Sequence, residues 1–385
     1  MDLQTLVTPW LQVIRDQVPG LELFDAHTHV GQNDPDGMHQ TPAELVQVLL
    51  SASARGCFVF PMHEPDGYPP ANNFVIEAST DANGLFVPFC RVKPGEGALG
   101  EAERALTRGA KGIKLHPRAE QFTLDHPDVP KLFALASERR LPILIHAGRG
   151  IPALGEHVIE YAREFPDARV ILAHAGVTDL AWIWRAVVDL PNVLFDTAWW
   201  IPADLKALFA LVPPAQVVFA SDAPYGHTLV SAALQLRLAL QVGLSADQVA
   251  VIASGQSLRL AAGEPLAVAG PAVGERECAS HLLLDRVAHL LEIATMLEFR
   301  LGDGSEVLAL AQLACNVPDE IDDAPVFAAI RGLLNAYEIA HAADPEDRST
   351  RAVLILATAV AMTPDVPVPA GSGLLRDDVP LPDQA

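Results

Sequence analysis

The 385-residue sequence predicts an α/β protein, a (β/α)8 barrel of the TIM type followed by an all-helical extension. Three observations carry that prediction. Between residue 20 and about residue 260, eight short apolar runs alternate with amphipathic segments of helix length. Nearly every run ends in an ionisable side chain. Beyond about residue 265 the strand-like runs stop and only helical periodicity remains.

Taken in order, the chain opens with "MDLQTLVTPWLQVIRDQVPG", where Leu3, Leu6, Val7, Trp10, Leu11 and Ile14 follow helical spacing. It has no basic leader region and no small-residue cleavage site, so it reads as a helix capping the barrel. The eight runs are "LELFDAH", "GCFVFPMH", "LFVPFCRV", "GIKLH", "LPILIHAG", "RVILAHAG", "NVLFDTA" and "QVVFASD". The helical segments between and after them are "TPAELVQVLLSASAR", "ALGEAERALTRG", "DVPKLFALASERR", "IPALGEHVIEYAREFP", "DLAWIWRAVVDLP", "ADLKALFALVPP" and "HTLVSAALQLRLALQVG". An open doubly wound sheet could use the same units, but no Gly-rich dinucleotide turn follows the first run. The barrel domain is expected over residues 1–268. "GEPLAVAGPAVGE" then links it to a small helical domain over 269–364, and a Pro- and Asp-rich tail at 365–385 is expected to be extended or disordered. In the helical domain, Leu282, Leu283, Val287, Leu290, Leu291, Ala294 and Leu297 form an apolar stripe that must be covered. A homodimer contact or a cover over the barrel would do so.

The formal charge of −22 argues against nucleic acid and anionic membrane surfaces as partners but names none itself; a small-molecule substrate is the expectation. Cys57, Cys90, Cys278 and Cys315 are widely spaced, with neither a zinc-ribbon nor a disulfide pattern. No apolar stretch approaches a membrane span, and a cytoplasmic location is the expectation.

In a (β/α)8 barrel the chemistry sits at the C-terminal ends of the strands. Ten of the thirteen histidines precede residue 230, and His27, His29, His63, His116, His146 and His174 all end runs. Glu64, Arg91, Lys93, Lys114, Asp196 and Asp222 share those ends. In "FDAHTHVG" the i, i+2 spacing on a strand projects Asp25, His27 and His29 to one face, and two imidazoles that close are half of a metal site.

The motifs "DAHTH", "GIKLHP", "LIHAG", "ILAHAG" and "ASDAPYG", in that order, resemble the amidohydrolase superfamily. The closer resemblance, over residues 20 to 262, is to its amidohydrolase-related branch of metal-dependent hydrolases and nonoxidative decarboxylases. It implies a divalent ion held by His27, His29, His146 and Asp222, with His174 catalytic or, in two-metal members, a ligand. A carboxylated Lys114 would bridge two ions in such members, and His116 is a further candidate for a second metal or for substrate. Where the branch carries an asparagine after the last strand, "IASGQSLRLAAG" has Gly255 and Gln256, while its arginine is kept as Arg259.

The residue types suit the chemistry in their own right. Imidazoles with one carboxylate favour Zn²⁺, with Mn²⁺ or another divalent ion as alternatives, and one ion is expected. The expected activity is hydrolysis: metal-activated water attacks an amide, ester or lactone carbon, and Asp222 shuttles the proton. His174 would polarise the carbonyl. His63, Arg91, Arg149 and Tyr225 are candidates for substrate contact, Trp199 and Trp200 for lid packing, and Asp25 for orienting a ligand histidine. Nonoxidative decarboxylation of a small aromatic or unsaturated acid at the same ligands is the alternative. A non-catalytic binding protein is a third reading, but it would be marked by broken ligands, and none is broken.

Overall fold

The computed structural model describes residues 3–35, 37–95, 97–148, 150–274, 281–318, 320–344, 347 and 350–372. The chain divides into two compact units, Gln17–Arg276 and Met1–Asp16 with Glu277–Ala385. The first is an α/β barrel; the second is built of helices.

The barrel strands are β1 (Phe24–Val30), β2 (Gly56–Pro61), β3 (Phe86–Pro88 continuing as Cys90–Arg91), β4 (Ile113–Leu115), β5 (Pro142–Ile145), β6 (Arg169–Leu172), β7 (Val193–Asp196) and β8 (Val217–Val218). All neighbours pair in parallel. β3 changes partner at Phe89: the Phe89 amide donates to Val59 O (2.8 Å) and the Cys90 amide to Gly112 O (3.0 Å). The ring closes between β1 and the chain just past β8, where the Ala26 amide donates to Phe219 O (2.9 Å), the Asp222 amide to His27 O (2.9 Å) and the His29 amide to Ala223 O (2.8 Å). Closure leaves no unpaired edge. Phe24, Phe58, Phe60, Phe89, Leu144, Ile171, Leu194 and Val218 belong to one buried cluster, so the centre is a packed core and not a pore.

Two local features depart from the sequence reading. β1 does not keep a strict two-residue alternation: its register against β2 shifts between Asp25 and Thr28, as at a bulge. Phe24 and Ala26 join the core, His27 and His29 reach the cavity, and Asp25 turns to β8 instead of sharing their face. The second is a helix over Pro69–Asp81, between β2 and β3, where the sequence reading placed none. Its Pro-Pro start and Asn-Asn pair are turn-forming residue types, yet proline is tolerated in a helix's first turn. Asn72, Val75 and Ile76 are its buried positions, and Asn72 ties it to β3 by donating to Arg91 O (3.1 Å) and accepting from the Arg91 amide (2.8 Å).

The helical unit contains Leu282–Leu301, Ser305–Ala314, Ala324–Ala343 and Thr350–Ala361. Along the first of these the buried apolar positions are Leu284, Val287, Ala288, Leu291 and Ala294, whereas Leu282 and Leu283 are exposed, so the expected stripe starts two residues too early. The N-terminal helix Leu3–Gln17 buries Val7, Trp10, Leu11 and Ile14, and residues 1–16 group with this unit and not with the barrel. The observed division falls at 276/277, against the expected 268/269. Cys57, Cys90 and Cys315 are free and buried; Cys278 lies outside the described residues, as does 373–385 of the expected tail. No helix of the described residues is long and apolar enough to cross a membrane.

Asp25 fastens the barrel seam. Its carboxylate accepts from the Ser221 amide (2.9 Å), the Thr228 hydroxyl (2.7 Å) and the His27 amide (3.2 Å). Burial nonetheless pushes its carboxyl up to about 6, outweighing the hydrogen bonds that pull it down. Between the unfolded value of 3.8 and about 6 the folded chain holds a proton that the unfolded chain has lost, so Asp25 makes stability fall as pH rises through that window. We expect this group to cost on the order of 3 kcal/mol between pH 4 and pH 7. Urea unfolding across that range should lose this component in Asp25→Asn; an unchanged pH slope in the variant would contradict the assignment.

Candidate metal centre

The C-terminal ends of the strands converge on a cavity of about 460 Å³, within the usual size range for a small-molecule site. Strand ends supply most of its chemistry: His27 and His29 from β1, Arg91 from β3, and Lys114 and His116 from β4. His146 follows β5, His174 follows β6, and Asp222 follows β8. His174, Ala175 and Asp222 have φ of 58°, 56° and 63°, a left-handed backbone that non-glycine residues adopt at a cost. These turns aim the side chains back across the barrel mouth. After Asp222 the chain doubles back so closely that a Cβ on Gly226 would lie 2.1 Å from Ser221 O, which requires glycine there.

The histidines share one hydrogen-bonding logic. His27 Nδ1 lies 2.7 Å from Asp196 Oδ2, His174 Nδ1 2.6 Å from Ala198 O and His29 Nδ1 3.4 Å from Pro61 O. Each acceptor calls for the proton on Nδ1, which leaves each Nε2 with its lone pair. Those lone pairs then meet. His27 Nε2 is 3.2 Å from His29 Nε2, and both are 3.1 Å from Asp222 Oδ1. His27, His174 and Asp222 each offer one ligand atom, all within 4.8 Å of one another. Electron-rich atoms held this close repel unless a proton or a metal cation lies among them. Three imidazole nitrogens and a carboxylate are also a zinc-type donor set. The residues therefore fit a divalent ion.

The titration behaviour follows. Burial pushes the His29 imidazole down to about 3, holds His146 and His116 well below the histidine range, and lowers His174. For His27, burial and the Lys114 charge pull down, but Asp222 and Asp196 outweigh them and the net shift is upward. Burial opposes ionisation of Asp222; His27 and the bonds from His27 and His29 overcome it and hold the carboxyl well below its usual range. Burial brings Lys114 down to about 7, partly offset by Asp196 and Asp222. Its Nζ lies 3.2 Å from His27 Nε2 and over the Phe60 ring, 4.6 Å from the centroid.

The remaining sequence candidates divide. His146 Nδ1 is 2.9 Å from His174 Nε2, and its own Nε2 is buried without a partner among the described residues. The His146 ring stacks on that of His116 at 3.8 Å and 12°. Arg91 lines the cavity but is spent on a buried ion pair with Glu120 (Nη2–Oε1 2.6 Å, Nε–Oε1 3.0 Å) and on Pro61 O (3.2 Å). Tyr68 donates to the same Glu120 oxygen. Tyr225 stands edge-on to His29 and donates to Asp34, while His63, Trp199 and Trp200 line the walls. Glu64 receives a bond from Asn33 (2.7 Å), and neither it nor the exposed Lys93 is among the cavity residues. Arg149 lies outside the described residues.

Asp25 orients no histidine ring; that work falls to Asp196, which also accepts from the His174 amide (2.8 Å) and the Ala198 amide (3.0 Å). Asp196 was visible as a strand-end acid, but its partner is 169 residues away and could not be read from spacing. Glu120 and Arg118 were missed, although Arg118 stands two residues beyond His116 in a run of alternate cavity residues. Gln256, in place of the asparagine, ties the end of the barrel together by donating to Ala215 O and accepting from the Ala267 amide (2.8 Å).

A family model described as "Amidohydrolase" matches residues 24–260. Among solved structures, an amidohydrolase from Burkholderia multivorans with bound zinc is 14% identical, covers 63% of this chain and 99% of its own, and has a TM-score of 0.50. The apo form of IDCase from Metarhizium anisopliae is 14% identical over 65% and 99%, also at 0.50. An uncharacterized TIM-barrel protein from Bordetella bronchiseptica is 15% identical over 68% and 92%, at 0.50. At such identities these likenesses concern the fold. A comparison with curated proteins returns no match.

The protonation pattern predicts how an ion would be taken up. At pH 6 His29 and His146 are already neutral, whereas His27 and Lys114 carry protons that a cation would displace. Calorimetric titration with Zn²⁺ in buffers of different ionisation enthalpy should show about two protons released per ion, and about one in Lys114→Met. Release of four would mean that the histidines begin charged.

Proposed function

The chain belongs to the amidohydrolase family, and from that premise we propose that it is a metal-dependent hydrolase acting on an amide, ester or lactone carbon of a small molecule. The observation that carries this reading is the convergence of His27 Nε2, His29 Nε2 and Asp222 Oδ1 on the cavity, each histidine locked by an acceptor at its far nitrogen. His27, His29 and Asp222 would hold one divalent ion, zinc by donor chemistry, with His146 and His174 as rivals for the remaining position. Such an ion supplies Lewis acidity and brings the pKa of water toward about 7.

The chain's own residues do the rest. Asp222 is ionised across the working pH range and reaches the cavity, so it can take a proton from water and return it to the leaving group. Asp196 keeps its negative charge against His27 Nδ1 and holds that ring in one tautomer. His174, its Nδ1–H anchored by Ala198 O, can stabilise charge developing on the carbonyl oxygen only as an imidazolium with a second proton on Nε2, the atom that faces His146 Nδ1 at 2.9 Å. Trp199 and Trp200 line the cavity, where their apolar rings would limit water.

Nonoxidative decarboxylation would use the same ligands and additionally needs an acid to protonate carbon. Asp179, the nearest acidic residue in sequence after His174, is committed elsewhere: it accepts from the Gly155 amide (3.0 Å) and Trp182 Nε1 (3.1 Å) and does not line the cavity. That favours hydrolysis.

The test is metal analysis of purified protein followed by a substrate screen that scores acid release and CO₂ release separately. We expect close to one divalent ion per chain, with affinity lost in His27→Asn and Asp222→Asn. Turnover should fall by at least about 10³-fold. Protein that binds no ion and gains no activity with Zn²⁺, Mn²⁺ or Co²⁺ would falsify the hydrolase reading, and CO₂ release without hydrolysis would transfer it to the decarboxylase.

Lys114 decides the number of ions. Held against His27 and the Phe60 face, it borders the ion's position and does not bridge two ions. Lys114→Met should leave the stoichiometry at one. Two ions about 3.5–4 Å apart, one of them lost on substitution, would overturn this.

A further inference from the structure

Lys114, His116 and Arg118 occupy alternate positions on the strand β4 and the short turn that follows it, and all three line the cavity. Their environments differ. Lys114 sits among Asp196, Asp222 and His27. Arg91, the neighbouring cation, is neutralised by Glu120. Arg118 is exposed and makes no hydrogen bond or ion pair among the described residues.

His116 has a fixed tautomer. The Ala119 amide donates to His116 Nδ1 at 3.1 Å, so that nitrogen is an acceptor and the ring proton is on Nε2. Its ring plane is set by stacking on His146. Nε2 has no partner among the described residues and is not among the buried unpaired atoms, so it is open to the cavity. An imidazole arranged in this way is a hydrogen-bond donor; it could ligate a metal through Nε2 only by giving up its cap on Ala119.

A free guanidinium and a pre-set N–H, both lining the cavity, are the partners a carboxylate takes. They matter more here because a chain of net charge −22 otherwise repels anions. We propose that Arg118 and the Nε2–H of His116 form a carboxylate-binding wall, so that the substrate carries a carboxylate besides the carbonyl that reacts. This rests on the hydrolase reading for the reacting end and on the wall alone for the carboxylate.

The test is binding of isophthalate and its neutral counterpart isophthalamide to the zinc-loaded full chain, followed by calorimetry or by the fluorescence of Trp199 and Trp200. Arg118→Gln should weaken isophthalate about tenfold, the loss of one charge-assisted contact, and leave isophthalamide unchanged. Arg118→Lys should retain most of the affinity. His116→Asn keeps a side-chain oxygen to cap Ala119 while removing the ring donor, and should weaken isophthalate several-fold with an unchanged Tm. The Arg118→Gln effect should persist in an Asp222→Asn background that has lost the ion, which separates the wall from the ion: a wild-type chain that binds no zinc sinks the hydrolase reading and spares this one. Equal effects on the charged and neutral probes, no effect of either wall variant, or no isophthalate binding at millimolar concentration would overturn the proposal.

Discussion

His27 is the residue on which the mouth of the barrel depends. One of its nitrogens is held by a buried carboxylate, Asp196; the other faces His29, Asp222 and Lys114, each within about 3.2 Å. Such crowding of donors and acceptors is unfavourable on its own and tolerable only with a compensating positive charge. The rest of the site can be read as the means of enforcing that crowding. Asp25 locks the β1–β8 seam beneath it, left-handed backbone at His174 and Asp222 turns two more cavity side chains inward, and Phe60 backs the lysine. A buried set of polar groups that needs a proton or a cation among its members to be satisfied fits a cation site.

The second layer of organisation is the sorting of charge. The chain is strongly acidic, yet its cavity presents Arg91, Lys114 and Arg118 against Asp34 and Asp222. Arg91 is used internally, because the Glu120 pair and the Pro61 carbonyl occupy its donors. Its contribution is rigidity between β3 and the turn after β4. Only by separating occupied cations from free ones does the cavity acquire a chemical direction.

Much of this was legible in the sequence and some was not, for identifiable reasons. Strand and helix alternation, and the ionisable residue closing each strand, are local patterns, so the barrel and the positions of His27, His29, His146, His174 and Asp222 could be read directly. The bulge in β1 could not, because an apolar-polar alternation looks the same with or without an extra residue; hence Asp25 seemed to share a face with His27. The Asp196–His27 and Arg91–Glu120 pairs join distant segments and leave no spacing signal. The helix at Pro69–Asp81 was hidden by turn-forming residues at its start. In the helical unit, four helices stood out by periodicity, but the face each one buries was set by neighbours, which is why Leu282 and Leu283 lie in the open.

The grouping of residues 1–16 with residues from 277 onward has a consequence for biosynthesis. This helix is made well before its partners, with the 260 residues of Gln17–Arg276 between them. At about 5–20 residues per second on the ribosome, Val7, Trp10, Leu11 and Ile14 spend roughly 13–50 s without their final packing. During that interval the nascent chain presents an apolar helix face ahead of a barrel that itself cannot close until β8 emerges beside β1. Holding that face in check is a task for chaperones or for transient contacts within the growing chain, and it sets the pace at which the second unit can be completed.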